Sequence, residues 1–170
     1  AQISMNIDQA QVFMRENGIA SGGASVAVLD TGFDFVGNEK NIASPLFQVK
    51  QGYFGIKPKG SPFSDPNGHG TGVAGTIGGK NGLGVAPTAN LTVYRITPDG
   101  DTGKTENEDL WAAIIKACDD GNDVINVSWG SDSDESGKTP NEIKMADKIE
   151  YLGQKGCLVT KSAGNDGYRI

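Results

Sequence analysis

The sequence predicts an α/β fold, an open and mostly parallel sheet with helices on both faces. Three observations carry this expectation. Val26-Ala27-Val28-Leu29 is apolar without alternation, as a strand covered on both faces must be. Strand-like and helix-like stretches then alternate along the chain with no repeat and no linker, the pattern of parallel α/β domains. Glycine contributes 25 of the 170 residues, which suits tight turns and close backbone approaches better than a helical bundle.

Asp8 is expected to cap a short helix over Gln9 to Arg15, stopped by Asn17-Gly18. Ser21-Gly22-Gly23 turns the chain into the Val26–Leu29 strand. Leu46 to Phe54 reads as a second strand. Lys57 to Gly68 reads as loop, with prolines at 58, 62 and 66. Gly70 to Ile77 reads as a helix whose glycines allow close approach to neighbouring backbone, and Leu91 to Ile96 as an alternating strand. Thr105 to Glu108 forms a capping box for a helix with Leu110, Trp111, Ile114, Ile115 and Cys118 on one face, ended by Gly121. A strand follows over Val124 to Ser128. Thr139, Pro140 and Glu142 open another helix, with Ile143, Ala146, Ile149 and Leu152 expected inward. Leu158 to Lys161 is the last strand.

Composition excludes several classes. A net charge of -6 opposes a nucleic-acid surface, which needs Lys and Arg for phosphates. No apolar stretch approaches the roughly 20 residues of a membrane span. Ala1-Gln2-Ile3-Ser4 has neither the basic nor the apolar region of a signal peptide, so any such peptide is expected to be gone already. Cys118 and Cys157 are too few for a disulfide scaffold, and buried free thiols are expected.

Open parallel sheets bind ligands at the carboxyl ends of their strands. Asp30, Asn165 and the Ser128–Gly130 stretch all map there. His69, the only histidine, stands in Asn67-Gly68-His69-Gly70-Thr71-Gly72. Alone, Asp30 is a common strand-end cap and His69 a common loop residue. Together, a carboxylate that holds an imidazole, an imidazole that takes a hydroxyl proton, and an amide that binds an oxyanion fill distinct roles in acyl transfer. Gly70-Thr71-Gly72-Val73-Ala74-Gly75 formally matches a dinucleotide fingerprint. It follows a Pro-rich loop instead of a strand and has no acidic residue about 20 positions on, so it is rejected. One His and two distant Cys show no zinc spacing. The acidic loop Ser131 to Ser136 reads as solvated.

Val28-Leu29-Asp30-Thr31-Gly32, Gly68-His69-Gly70-Thr71-Gly72-Val73-Ala74-Gly75-Thr76 and Ala163-Gly164-Asn165-Asp166-Gly167 resemble, in this order, the aspartate, histidine and asparagine blocks of the subtilisin-like serine proteases (subtilases). Gly84-Val85-Ala86-Pro87 and Asp123 to Ser128 match further segments, so the likeness spans essentially the whole chain. It implies that residues 1–170 are the N-terminal portion of a single subtilisin-like catalytic domain that is secreted or otherwise extracytoplasmic. Asp30, His69 and Asn165 become the catalytic residues, and Ser128, Trp129, Gly130, Ala163 and Gly164 the substrate-binding ones. An extended polypeptide substrate would add as a strand along Ser128–Gly130, with Trp129 lining a pocket. Gly72 stands where the family usually has a second His. No cofactor is required. Gln2 matches a calcium ligand of the family, but Gly78 to Leu83 is shorter than the usual calcium loop.

The family's serine block lies beyond the Asn block, and no counterpart is present. Three readings compete: a nicked enzyme whose C-terminal fragment carries the serine, with Gly167 to Ile170 as the exposed nick site; a truncated chain; or a non-catalytic relative that binds extended polypeptides or a partner. The nicked enzyme is preferred because Asp30, His69 and Asn165 are all retained. Its partners would be that fragment, polypeptide substrates and a propeptide, with no nucleic acid and no membrane span.

Overall fold

Val26 to Leu29 can be buried only between two layers, and that places strand β1 (Ser25–Asp30) at the centre of the molecule. The computed structural model describes residues 6–19, 23–42, 47–51, 63–97, 107–128 and 142–162. Along the chain follow α1 (Ile7–Glu16), β1, a 3-10 turn (Glu39–Asn41), β2 (Phe47–Gln51), α2 (His69–Gly78), β3 (Asn90–Arg95), α3 (Asn107–Asp119), β4 (Val124–Val127), α4 (Glu142–Lys155) and β5 (Leu158–Lys161). Among the described residues, five strands form one open sheet in the order β2-β3-β1-β4-β5, each paired in parallel with its neighbours. β1 pairs with β3 from Ser25↔Asn90 to Asp30↔Arg95 and with β4 from Val26↔Val124 to Leu29↔Val127.

Alternate residues of a strand face opposite ways, so β1 supplies two cores. Ala27 and Leu29 join Tyr94, Ile125 and Val127 against Ile114 and Ala117 of α3 and Leu152 of α4. Val26 and Val28 join Leu91 and Val93 against Ala74 of α2, with Phe33 and Ile42. Each fully buried Val or Leu contributes about 1.5–3 kcal/mol of transfer free energy. The sheet is thus covered on both faces, as the unbroken apolar run requires.

α2 reaches the sheet through a stripe of small residues. Gly70, Ala74 and Gly78, four apart, are its buried face. A Cβ on Gly70 would stand 2.3 Å from the Gly32 carbonyl oxygen, and one on Gly78 would stand 3.1 Å from Leu91 Cδ2. Only glycine permits the first approach.

Several expectations are corrected. Helix α1 begins at Ile7 after Asn6 in a left-handed conformation, with no side-chain cap, so Asp8 lies in the first turn instead of capping it. No residue of α1 is buried. In α3, Ala113 and Ala117 enter the core, while Ile115 is only half-buried. Ile149 of α4 is 56% exposed. The helix instead meets α3 through Lys148, Tyr151, Leu152 and Lys155, spaced as one helical face. Lys148 Nζ lies over the Trp111 ring, and the Tyr151 hydroxyl donates to Asp119 at 2.7 Å. Lys155 Nζ lies 3.4 Å from Asp119 Oδ1, so polar ends make much of this contact while Ile149 stays outside it.

The cysteines are not free thiols: Cys118 and Cys157 form a disulfide, with Cα atoms 6.0 Å apart. Gly156 takes a positive φ after α4, and the Cys157 N–H returns to the Leu152 carbonyl at 2.9 Å. That turn sets Cys157 against the same core layer as Cys118, within ordinary disulfide reach. The cap residues Thr105, Thr139 and Pro140, the acidic loop Ser131 to Ser136 and Gln2 lie outside the described residues.

Candidate active site

Asp30 closes the central strand, and His69 opens helix α2. Asp30 is completely buried, and His69 Nδ1 lies 2.8 Å from Asp30 Oδ1 with half of the imidazole side chain exposed. A buried carboxylate on Nδ1 selects the tautomer that donates there and leaves the lone pair on Nε2. The imidazole is therefore set as a base on one side and anchored on the other. Asp30 Oδ1 also accepts the Thr31 N–H at 2.7 Å.

Local sequence explains why these two residues meet. Gly32 has a φ of 121°, which turns the chain sharply after β1. Asp65-Pro66-Asn67-Gly68 has the residue preferences of a type I turn, and the Gly68 N–H returns to the Asp65 carbonyl at 3.1 Å. That turn delivers the chain to His69. Gly70, without a side chain, then lets the first turn of α2 rest on Gly32.

Two residues in this region were missed by sequence reasoning. Asp65 is buried and accepts from the Thr31 hydroxyl at 2.7 Å, the Gly68 N–H at 3.0 Å, and the Thr71 N–H and hydroxyl at 2.8 and 2.7 Å. Burial opposes its charge, but the bonds from Thr71, Thr31 and Gly68 outweigh it and hold the carboxyl below the ordinary aspartate range. The Asp-Pro-Asn-Gly turn was the available signal. Arg95, paired with Asp30 in register, is also buried. It donates from Nε to the Thr97 carbonyl at 3.0 Å and from Nη1 to that of Ser64, tying the segment before Asp65 to the sheet. Nothing in the alternation of Leu91 to Ile96 announced a buried cation.

Of the expected substrate-binding residues, Ser128 follows β4 directly, is half-buried, and accepts from Asn126 Nδ2 at 2.9 Å. β4 is the neighbour of β1, so Ser128 lies at the same carboxyl edge as Asp30. Trp129, Gly130, Ala163, Gly164 and Asn165 lie outside the described residues. The shortened stretch where the family's calcium loop would stand is closed by hydrogen bonds of its own turn. Gly78 to Gly84 carries no carboxylate, and the carbonyls of Gly79 and Lys80 accept from Gly84 and Leu83 within the turn itself. Among the described residues no group of three His, Cys, Asp or Glu could hold a metal.

The family model described as "Subtilase family" matches residues 21–169. The chain belongs to the subtilase family. Curated relatives of this subtilase include the minor extracellular protease Vpr of Bacillus subtilis, 32% identical over 97% of the chain and 21% of Vpr. They also include a subtilisin of Bacillus sp. strain TA39, 35% identical over 86% of the chain and 34% of that protein. Among solved structures, MycP1 with its N-terminal propeptide removed superposes with a TM-score of 0.69 at 28% identity, covering 99% of this chain and 50% of MycP1. The nisin leader peptidase NisP from Lactococcus lactis gives 0.63 at 29%, covering 84% and 44%. This subtilase chain therefore spans half or less of the relatives it matches.

Proposed function

We propose that this chain supplies the acid–base half of a serine endopeptidase, with the nucleophilic serine provided by a segment of the same protein outside this sequence. The contact between buried Asp30 and His69 Nδ1 at 2.8 Å carries the reading. The serine hydroxyl attacks a peptide carbonyl while His69 Nε2 takes its proton; Asp30 holds the imidazole and stabilises the cation that forms. The Asn165 side-chain amide donates to the tetrahedral oxyanion. Collapse breaks the C–N bond, and His69 returns the proton to the leaving amine. Water then hydrolyses the acyl-enzyme by the same relay. No metal or redox group is needed for these steps.

Polypeptide substrates add as a strand along Ser128-Trp129-Gly130, with Trp129 lining a side-chain pocket and Ala163 and Gly164 also binding substrate. The serine-bearing segment is the first partner, and a propeptide, such as that removed from MycP1, the second. Leu158 of β5 is 61% exposed, which supports a segment packing beyond this strand. The disulfide supports a secreted or extracytoplasmic location, because such bonds persist in oxidising compartments.

A fluorophosphonate probe tests the reading on the complete, propeptide-free protein. Labelling of a serine outside this sequence, abolished by His69→Ala, is the expected result. A folded, complete protein that takes no label is instead a module that binds polypeptides without cleaving them.

A further inference from the structure

One buried carboxylate near the acid–base pair has no part in proton transfer. Asp65 gathers four hydrogen bonds, all from residues within two positions of Asp30 or His69. Thr31 follows Asp30, and its hydroxyl donates to Asp65 Oδ1 at 2.7 Å. Gly68 precedes His69, and its N–H donates to the same oxygen at 3.0 Å. Thr71 lies in the first turn of α2 and gives Asp65 Oδ2 both its N–H and its hydroxyl. Two of these groups extend the contact further. The Thr31 hydroxyl oxygen accepts the Gly70 N–H at 2.9 Å, and that of Thr71 accepts the Asp34 N–H at 2.9 Å.

Capping α2 would need only the backbone bonds from Gly68 and Thr71. The hydroxyl bonds add nothing to a cap. They join the turn after β1 to the start of α2, the two places from which Asp30 and His69 project. We propose that Asp65 is a positioning residue for peptide hydrolysis: its carboxylate clamps the end of β1 to the start of α2 and thereby sets the separation and angle of Asp30 and His69. This inference rests on the serine endopeptidase reading above. An anion suits the role because all four partners are donors and a carboxylate offers only acceptors. An amide there would set its own N–H groups against one of the two donor pairs.

The test uses the complete protein, a chromogenic peptide substrate, and kcat normalised to the active sites counted by fluorophosphonate titration. Misplacement of reacting groups by about 1 Å costs on the order of 10²-fold. Asp65→Asn and Thr31→Val are therefore expected to lower normalised kcat by about 10- to 100-fold while KM stays within about twofold. Thr31→Ser keeps the bridging hydroxyl and is expected to recover most of the activity that Thr31→Val loses. The low-field proton resonance of the Asp30–His69 hydrogen bond should weaken in Asp65→Asn and Thr31→Val and persist in Thr31→Ser.

Unchanged normalised kcat in Asp65→Asn, or equal activity in Thr31→Val and Thr31→Ser, would overturn the proposal. If Asp65→Asn does not fold, the Thr31 pair decides. If the wild-type protein takes no label, the peptidase reading fails instead, and the proton resonance still reports whether Asp65 holds the pair.

Discussion

Replacing Gly70 by alanine adds one methyl group at the tightest contact between α2 and β1. Its Cβ would stand 2.3 Å from the Gly32 carbonyl oxygen, 3.0 Å from the Gly32 nitrogen and 3.1 Å from Asp30 Cβ. Two of these neighbours are backbone, so no flexible side chain can yield. Ordinary contact begins at 3.4 Å, and relieving the shortest approach separates the helix from the strand by about 1 Å. That movement acts on a hydrogen bond of 2.8 Å between His69 and Asp30 and takes it beyond the roughly 3.2 Å limit for such bonds. The expected loss in kcat is at least about 10²-fold, and overpacking costs about 1–3 kcal/mol of stability. Gly72→Ala is the control: it is on the same helix, exposed, with nothing within 4 Å of its added carbon. There alanine should stabilise by about 0.5–1 kcal/mol. Peptide hydrolysis per titrated active site and a thermal melt on the complete protein read both effects. A Gly70→Ala enzyme with kcat within about threefold of wild type would refute the argument that α2 must lie this close.

Asp30→Asn should leave the fold intact and reduce kcat by about 10⁴, measured on the same substrate, because the imidazole loses both its orientation and its counter-charge. Asp65 has its carboxyl held low by its donors, so it contributes stability that is complete above the unfolded aspartate value of about 3.9 and is lost as pH falls through the lower folded value. Denaturant melts at stepped pH should show a shallower acid loss in Asp65→Asn than in wild type. The Cys118–Cys157 bridge closes a loop of 39 residues, and removing it with the double Ser variant should cost up to about 4 kcal/mol by chain entropy. A denaturant midpoint that does not move would mean the bond restrains nothing in the unfolded chain.

Where local pattern and burial agree, the fold was legible. Val26 to Leu29 announced a central strand, and Leu110, Trp111, Ile114 and Cys118 a helix face that does pack inward. Asp30 and His69 each had an ordinary structural reading alone; their combination, and the family resemblance of the segments around them, singled them out, and the structure brings the two side chains into contact. Ile149 misled because α4 meets α3 through the Lys148 and Lys155 ammonium groups and the Tyr151 hydroxyl beside buried Leu152, and a hydrophobic stripe does not count the lysines. The disulfide was hidden because Cys118 and Cys157 are brought together by the return of the chain after Gly156, which sequence spacing does not report. Asp65 and Arg95 were hidden for a related reason. Their partners, Thr31, Thr71 and Ser64, are assembled from separate elements, so neither has a local signature beyond an ordinary turn or strand.

The strand order has a consequence for how the chain is made. β1 leaves the ribosome well before two of its partners, which begin at Asn90 and Val124, paired with Ser25 and Val26. Such non-local parallel pairing is slow, because loop closure must precede any gain from contact. At about 5–20 residues per second, the interval between synthesis of Val26 and of Val124 is on the order of 5–20 s. Throughout it, a strand that is buried from Val26 to Asp30 in the folded chain lacks its second neighbour and is open to association with other chains. Asp30 sits at the end of that strand, so His69 has no fixed carboxylate to meet until the surrounding strands close. The contact between Asp30 and His69 therefore forms late in synthesis, and a chaperone or an intramolecular segment that shields residues 26–29 would raise the yield of folded chain without touching that contact.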